Sequence, residues 1–222
     1  MAKTLKKITY SILEAISSFD ITDDNPFSVK MIEDLVISMN HTLLRKAHSE
    51  KRIDEMLYLI DSNLQLREFS PDINVSGLNV KAKKKLCYAD LKPLVTGLKG
   101  REIDVVTNAG FSIVFTRTSL KELIRGSSGY YQINAHKYAL LNDKLVFKRE
   151  EISTKVVSVN GIWSDPRLVS SWTDDTPFPT PSEKNIELLV VQHIGQALGF
   201  PKDVINDAQE ALASAPRQKE NE

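Results

Sequence analysis

Apolar residues recur every three or four positions at the start of the chain, at Leu5, Ile8, Ile12, Ala15, Ile16 and Phe19. That spacing puts them on one face and predicts a first amphipathic helix over about 4–19. The polar run DITDDNP interrupts it. Asn25 then offers a cap, with Pro26 in the first turn, where its missing N–H costs nothing. Val29, Ile32, Val36, Met39 and Leu43 make one further stripe, so a second helix is expected over about 26–48. The segment RIDEMLYLIDSNLQL reads as a short helix followed by a strand.

From about Leu86 the period drops to two. REIDVVTNAGFSIVFTRT alternates about Asn108-Ala109-Gly110, the signature of a hairpin. SLKELIR is a short helix opened by Ser119 and Glu122 as a capping box, and GSSG at 126–129 is a flexible corner. YYQINAHKYALLNDKLVFKRE is a second hairpin turning at Asn142-Asp143, and STKVVSVNGIW a further strand. An antiparallel sheet is therefore expected over 86–163.

The proline-rich SDPRLVSSWTDDTPFPTP leads back to helix. Thr180 is placed to cap it, Pro181 to take the first turn and Glu183 to complete a capping box. Ile186, Leu189, Val190, His193, Ile194 and Ala197 form one face, and Gly199-Phe200-Pro201 stops the helix. An apolar face so placed must pack on something, most simply the first two helices. The expected fold is α+β: N-terminal helices and a C-terminal helix packed together, with a small antiparallel sheet inserted. The regions are 1–70, helical; 71–172, β-rich; 173–200, connector and C-terminal helix; and 201–222, a tail too poor in apolar surface to order at its end.

Composition narrows the chemistry. With 222 residues the chain can bury a real core, and 41% apolar content with 26% charge is globular. Lys+Arg and Asp+Glu are 29 each, so no global field drives binding to nucleic acid or membrane. Cys87 is the only cysteine, which excludes an internal disulfide, thiolate zinc cages and CxxC redox chemistry. No apolar run is long enough to span a bilayer, and Glu14 with nearby serines breaks the run a signal peptide would need.

The four histidines, at 41, 48, 136 and 193, lack the spacing of a helical metal site. His193 reads first as a hydrogen-bonded core or interface residue. RGSSG is neither a phosphate loop nor a nucleophile elbow, and the acidic pairs Asp23-Asp24, Glu150-Glu151 and Asp174-Asp175 have no EF-hand register. Nothing points to a cofactor or to catalysis. Lys81, Lys83, Lys84 and Lys85 form the one notable charge run, a candidate contact for DNA or an acidic surface. No aromatic residue interleaves it, and its ordinary reading is a solvated lead-in to a strand. Trp163 and Trp172 flank the connector and fit either a protein contact or packing under the sheet.

In DDNPFSVKMIEDLVISMNHTLLRKAHSEKR, in the VNGIWSDP turn and in PFPTPSEKNIELLVVQHIGQALGFP, the chain resembles virion structural proteins of crAss-like tailed phages. Those are ring components of the head–tail connector and short tail. The resemblance implies a dodecameric ring stacked below the portal and enclosing the channel through which DNA leaves. Its implied partners are copies of itself, the portal and adjacent ring or tail proteins, with non-specific DNA contact in the channel. It implies assembly in the host cytoplasm, residence in the virion, and no membrane. The final helix, through Ile186, Leu189, Val190, His193 and Ile194, would then be a packing and docking element. A cytoplasmic nucleic-acid-binding or regulatory protein using the Lys81–Lys85 patch is the alternative, and an enzyme with a spatially assembled site comes third.

Overall fold

Seven strands close into a barrel in the middle of the chain: β1 (Leu59–Glu68), β2 (Leu86–Asp90), β3 (Ile103–Asn108), β4 (Val114–Thr118), β5 (Lys137–Leu141), β6 (Lys144–Lys148) and β7 (Val156–Gly161). Around the barrel they run β1-β2-β6-β5-β4-β3-β7. The computed structural model describes residues 2–17, 27–70, 78, 83–125, 136–152, 155–198, 205–207, 209–210 and 212. It divides into two units, 58–172 and the pair of segments 1–57 and 173–222.

The barrel corrects the expected small antiparallel sheet in two ways. First, β1 lies inside the 1–70 region read as helical, yet it pairs with both β2 and β7 and closes the barrel. A short 3-10 turn, Glu55–Leu57, precedes it, as the short helix before a strand anticipated. Second, β4 and β5 are parallel, with Thr116 opposite Lys137 and Thr118 opposite Ala139. Alternation reports which face a residue takes but not strand direction. A parallel pair needs a crossover of a dozen or more residues, and 119–136, including α3 (Leu120–Arg125), supplies it. Both expected hairpins form: Val106 faces Phe115 across β3 and β4, and Leu140 faces Leu145 across β5 and β6.

Alternating side chains fill the interior. Cys87, Ala89, Phe115, Tyr138, Leu145, Phe147, Val157 and Val159 belong to one buried cluster. Phe147 is fully buried, with the Phe115 ring edge-on at 5.1 Å. The other face of β2 is buried as well. Leu86 and Tyr88 join Phe69, Val146, Ala139 and Leu123 of α3 in a second cluster outside the barrel. A strand covered on both sides has no polar face, which accounts for the unbroken run Leu86-Cys87-Tyr88-Ala89. Ser119 caps α3 through the Glu122 N–H at 3.2 Å, while the Glu122 carboxylate accepts from the Thr118 hydroxyl at 2.6 Å. The GSSG corner lies outside the described residues.

In the other unit α1 (Leu5–Ser17), α2 (Val29–Ser49) and α4 (Glu183–Ala197) pack pairwise, as the three apolar stripes require. Ile8, Ile12 and Ile16 of α1 meet a core shared with Ile32 and Val36 of α2 and Ile186 and Val190 of α4, all fully buried. Helix α2 is capped by Ser28, whose hydroxyl accepts from the Met31 N–H at 3.2 Å. The expected caps Asn25 and Pro26 lie outside the described residues, as does the Gly199-Phe200-Pro201 stop. The tail is described at 205–207, 209–210 and 212, where 205–207 is helical and Ile205 is buried; the rest of it also lies outside.

Candidate assembly surfaces

Helix α4 starts two residues later than its prolines suggest. Ser182, not Thr180, is the N-cap: its backbone is extended and its hydroxyl accepts from the Asn185 N–H at 3.3 Å. Pro181 keeps the preceding residue out of the helical region, so Thr180 stays in a tight extended turn with its N–H on the Phe178 carbonyl at 2.8 Å. The buried Asn40 amide of α2 donates to the Pro179 carbonyl at 2.9 Å and holds that turn. The N-terminal segment adds a short antiparallel bridge between Thr4 and Pro177.

The face of α4 that packs is turned from the expected one. Ile186, Val190 and Ile194 are buried, together with Glu187, Val191 and Gly195. Leu189 is only half-buried, and His193 and Ala197 are exposed, which corrects the assignment of those three to the packed stripe. Two contacts accompany the polar and small residues on this face. Glu187 is drawn inward by the Lys3 ammonium at 2.5 Å, while Glu183 accepts from the Lys3 backbone N–H at 2.5 Å. Gly195 lets Ile205 come so near that an added Cβ would meet its side chain at 2.6 Å. An apolar count cannot see a carboxylate or a glycine on the packed side.

The lysine run does not present one surface. Lys83 is buried at 7% exposure, Lys84 and Lys85 are exposed, and Lys81 lies outside the described residues. Trp163 is buried, and its indole N–H donates to the Leu59 carbonyl at 2.8 Å, which makes it a barrel residue; Trp172 is half-buried.

The β3–β4 hairpin tip is a turn in the sequence pattern and an exposed surface in the structure. Asn108 organises it from within. Its backbone N–H donates to the Ile113 carbonyl at 3.1 Å and its carbonyl accepts from the Phe111 N–H at 3.0 Å. Its side-chain oxygen accepts from the Ile113 N–H, and its amide nitrogen donates to the Ser112 hydroxyl, both at 3.0 Å. The turn so pinned projects Phe111 and Val114 to 57% and 60% exposure. Phe111 takes a φ of 54°, a left-handed conformation that is unfavourable for a bulky side chain.

Reactive chemistry is sparse. Burial pushes the Cys87 thiol up to about 11 from 9.0, so its nucleophilic form is suppressed. Burial likewise raises the Tyr138 and Tyr58 phenols. The Thr118 hydroxyl, with Lys137 beside it, lowers the exposed Glu122 carboxyl. Among the described residues no cluster of three His, Cys, Asp or Glu side chains could hold a metal, and no helix is long and apolar enough to cross a membrane. Fully buried Asp61, at an irregularity in the β1–β7 pairing, meets the Lys92 ammonium at 2.7 Å.

The profile of one protein family, described as phage tail ring protein 2, matches residues 7–214. No curated protein matches the chain.

Proposed function

The chain belongs to this family of crAss-like phage ring proteins, and from that premise we propose that it forms the ring linking portal to tail around the DNA channel. A tail ring protein is a virion structural protein that assembles with copies of itself and with other tail proteins. The finer reading gives it a dodecameric ring, a portal contact on one side and DNA passing through the lumen. The family match over residues 7–214 supports the ring itself, and the count, the portal contact and the DNA passage are proposed beyond it. Two folded units give a subunit separate surfaces, and a ring needs at least two, because each copy must meet its neighbour through unlike faces.

On this reading the chain acts by positioning, without catalysis or cofactor. Of the Lys81–Lys85 run, Lys84 and Lys85 are the exposed described positions, and DNA in the lumen meets the run only through weak, sequence-blind contact. Negative-stain imaging of the purified chain, alone and with the portal protein, tests the proposal. Rings of twelve subunits that stack on the portal are expected. Rings of another count would remove the dodecamer, and rings that never meet the portal would remove the linking role.

A further inference from the structure

The register of the strands places two features of the barrel at opposite ends. The β3–β4 tip with Phe111 lies where β3 ends and β4 begins. A cleft of about 270 Å³ lies at the other end, where β3 begins and the β5–β6 hairpin turns. Leu91, Leu94, Val95, Ile103 and Leu140 give it an apolar wall, exposed Thr96 also lines it, and Lys92, Glu102, Arg117 and Asp143 add charges of both signs. The tip from Asn108 to Ile113 carries no charge, and it presents one aromatic ring on a turn already fixed by four hydrogen bonds.

We propose that the Phe111 tip of one copy inserts into the Leu91–Leu94–Val95 cleft of the next, so that the two ends of the barrel form the lateral contact of the ring. This rests on the ring reading above, and it names which faces meet. The occupant is a second copy for three reasons. The family is a ring family, so copies lie side by side. A ring contact is head-to-tail and needs a knob and a socket on different faces of one chain. A rigid aromatic anchor entering an apolar pocket is the usual centre of binding energy in such a contact. Within one molecule the tip cannot reach its own cleft, because the barrel separates them.

Three variants of the full chain test this: Phe111→Ala removes the knob, Thr96→Trp blocks the socket, and Phe111→Cys with Thr96→Cys links them. Both altered side chains are exposed in the parent, and melting curves check that each variant stays folded. Each single variant is expected to raise the concentration for half-assembly about tenfold or more. A mixture of the two single variants keeps one working knob and one working socket, so it is expected to stop at dimers. Under mild oxidation the cysteine pair is expected to give a ladder of linked multimers, since Cys87 is buried. Rings that assemble normally from Phe111→Ala, or linked monomers without a ladder, would overturn the contact and leave the ring reading standing. A parent chain that stays monomeric alone and with its tail partners would overturn both.

Discussion

The carboxylate of Glu187, on the packed face of α4, meets the ammonium of Lys3 at 2.5 Å across 184 positions of sequence. Glu187 is 3% exposed, whereas the Lys3 side chain keeps 38% of its surface in water. The carboxylate is thus the costly partner if the pair is broken. Lys3→Ala strands it and is expected to lower unfolding free energy by about 1–3 kcal/mol. Replacing both, with Lys3→Met and Glu187→Leu, should come back to within about 1 kcal/mol of the parent, because an apolar pair avoids desolvating the charge. A double-mutant cycle by urea unfolding measures it. Additive losses would mean the two side chains do not interact.

Substitutions along α4 should follow the observed face rather than the apolar stripe. Ile194→Ala removes a buried side chain and should cost about 2–5 kcal/mol. Leu189→Ala, at a half-buried position, should cost about 1 kcal/mol. His193→Ala, on the exposed side, should change stability by less than about 0.5 kcal/mol. Equal losses at 189 and 194 would place the packed face where the sequence pattern put it.

Gly195 sets two effects against each other. Alanine gains about 1 kcal/mol of helix propensity. Against that, its Cβ would press on Ile205 at 2.6 Å, an overpacking worth about 1–3 kcal/mol. Gly195→Ala is therefore expected to destabilise the parent by roughly 1 kcal/mol, the difference of the two. In an Ile205→Ala background the same change should become stabilising, and thermal melts of the four proteins give the sign in each background.

Alkaline pH should weaken the barrel unit. The folded Cys87 thiol holds its proton to about 11, where an ordinary thiol releases it near 9.0. Between those values the unfolded state binds fewer protons, so stability falls as pH rises and is fully present below 9.0. The loss is on the order of 1–3 kcal/mol across the window. Cys87→Ala should flatten the unfolding midpoint between pH 9 and 11 without abolishing the slope, because the Tyr58 and Tyr138 phenols are raised in the same sense. An unchanged slope in the variant would show that the thiol ionises as readily folded as unfolded.

The lysine run should split in its behaviour. Lys84→Ala with Lys85→Ala removes exposed charge and is expected to leave folding and ring formation intact. It should also shave about two units, at most, from the log–log salt slope of DNA binding. Lys83→Ala acts at a buried position and should lower the melting temperature. Sequence-specific DNA binding at physiological salt, lost in the exposed pair variant, would favour a nucleic-acid role instead.

The helical unit was largely legible in the sequence, because three stripes of period 3.6 have one economical arrangement, their apolar faces together. Strands and hairpins were legible too, down to the turns at Asn108 and Asn142. Closure was not. β1 reads as a strand within the 1–70 region, but LIDSNLQLRE alternates weakly and buries Asp61, so nothing marks it as the strand that closes the sheet. The crossover after Thr118 left no trace of strand direction. The candidate assembly surfaces were the least readable. Phe111 stands out only through its φ and exposure, and neither is written in a turn sequence; an aromatic residue directly after Asn-Ala-Gly was the one available signal.

Closure of the barrel has a consequence for how such a subunit behaves before it meets its neighbours. Among the described residues every strand there has a neighbour on both sides, so the sheet has no free edge strand running its whole length. A foreign strand, the common route to open-ended fibres, thus finds no exposed edge strand of full length to extend, which favours contacts between copies made by side-chain shape over contacts made by backbone pairing.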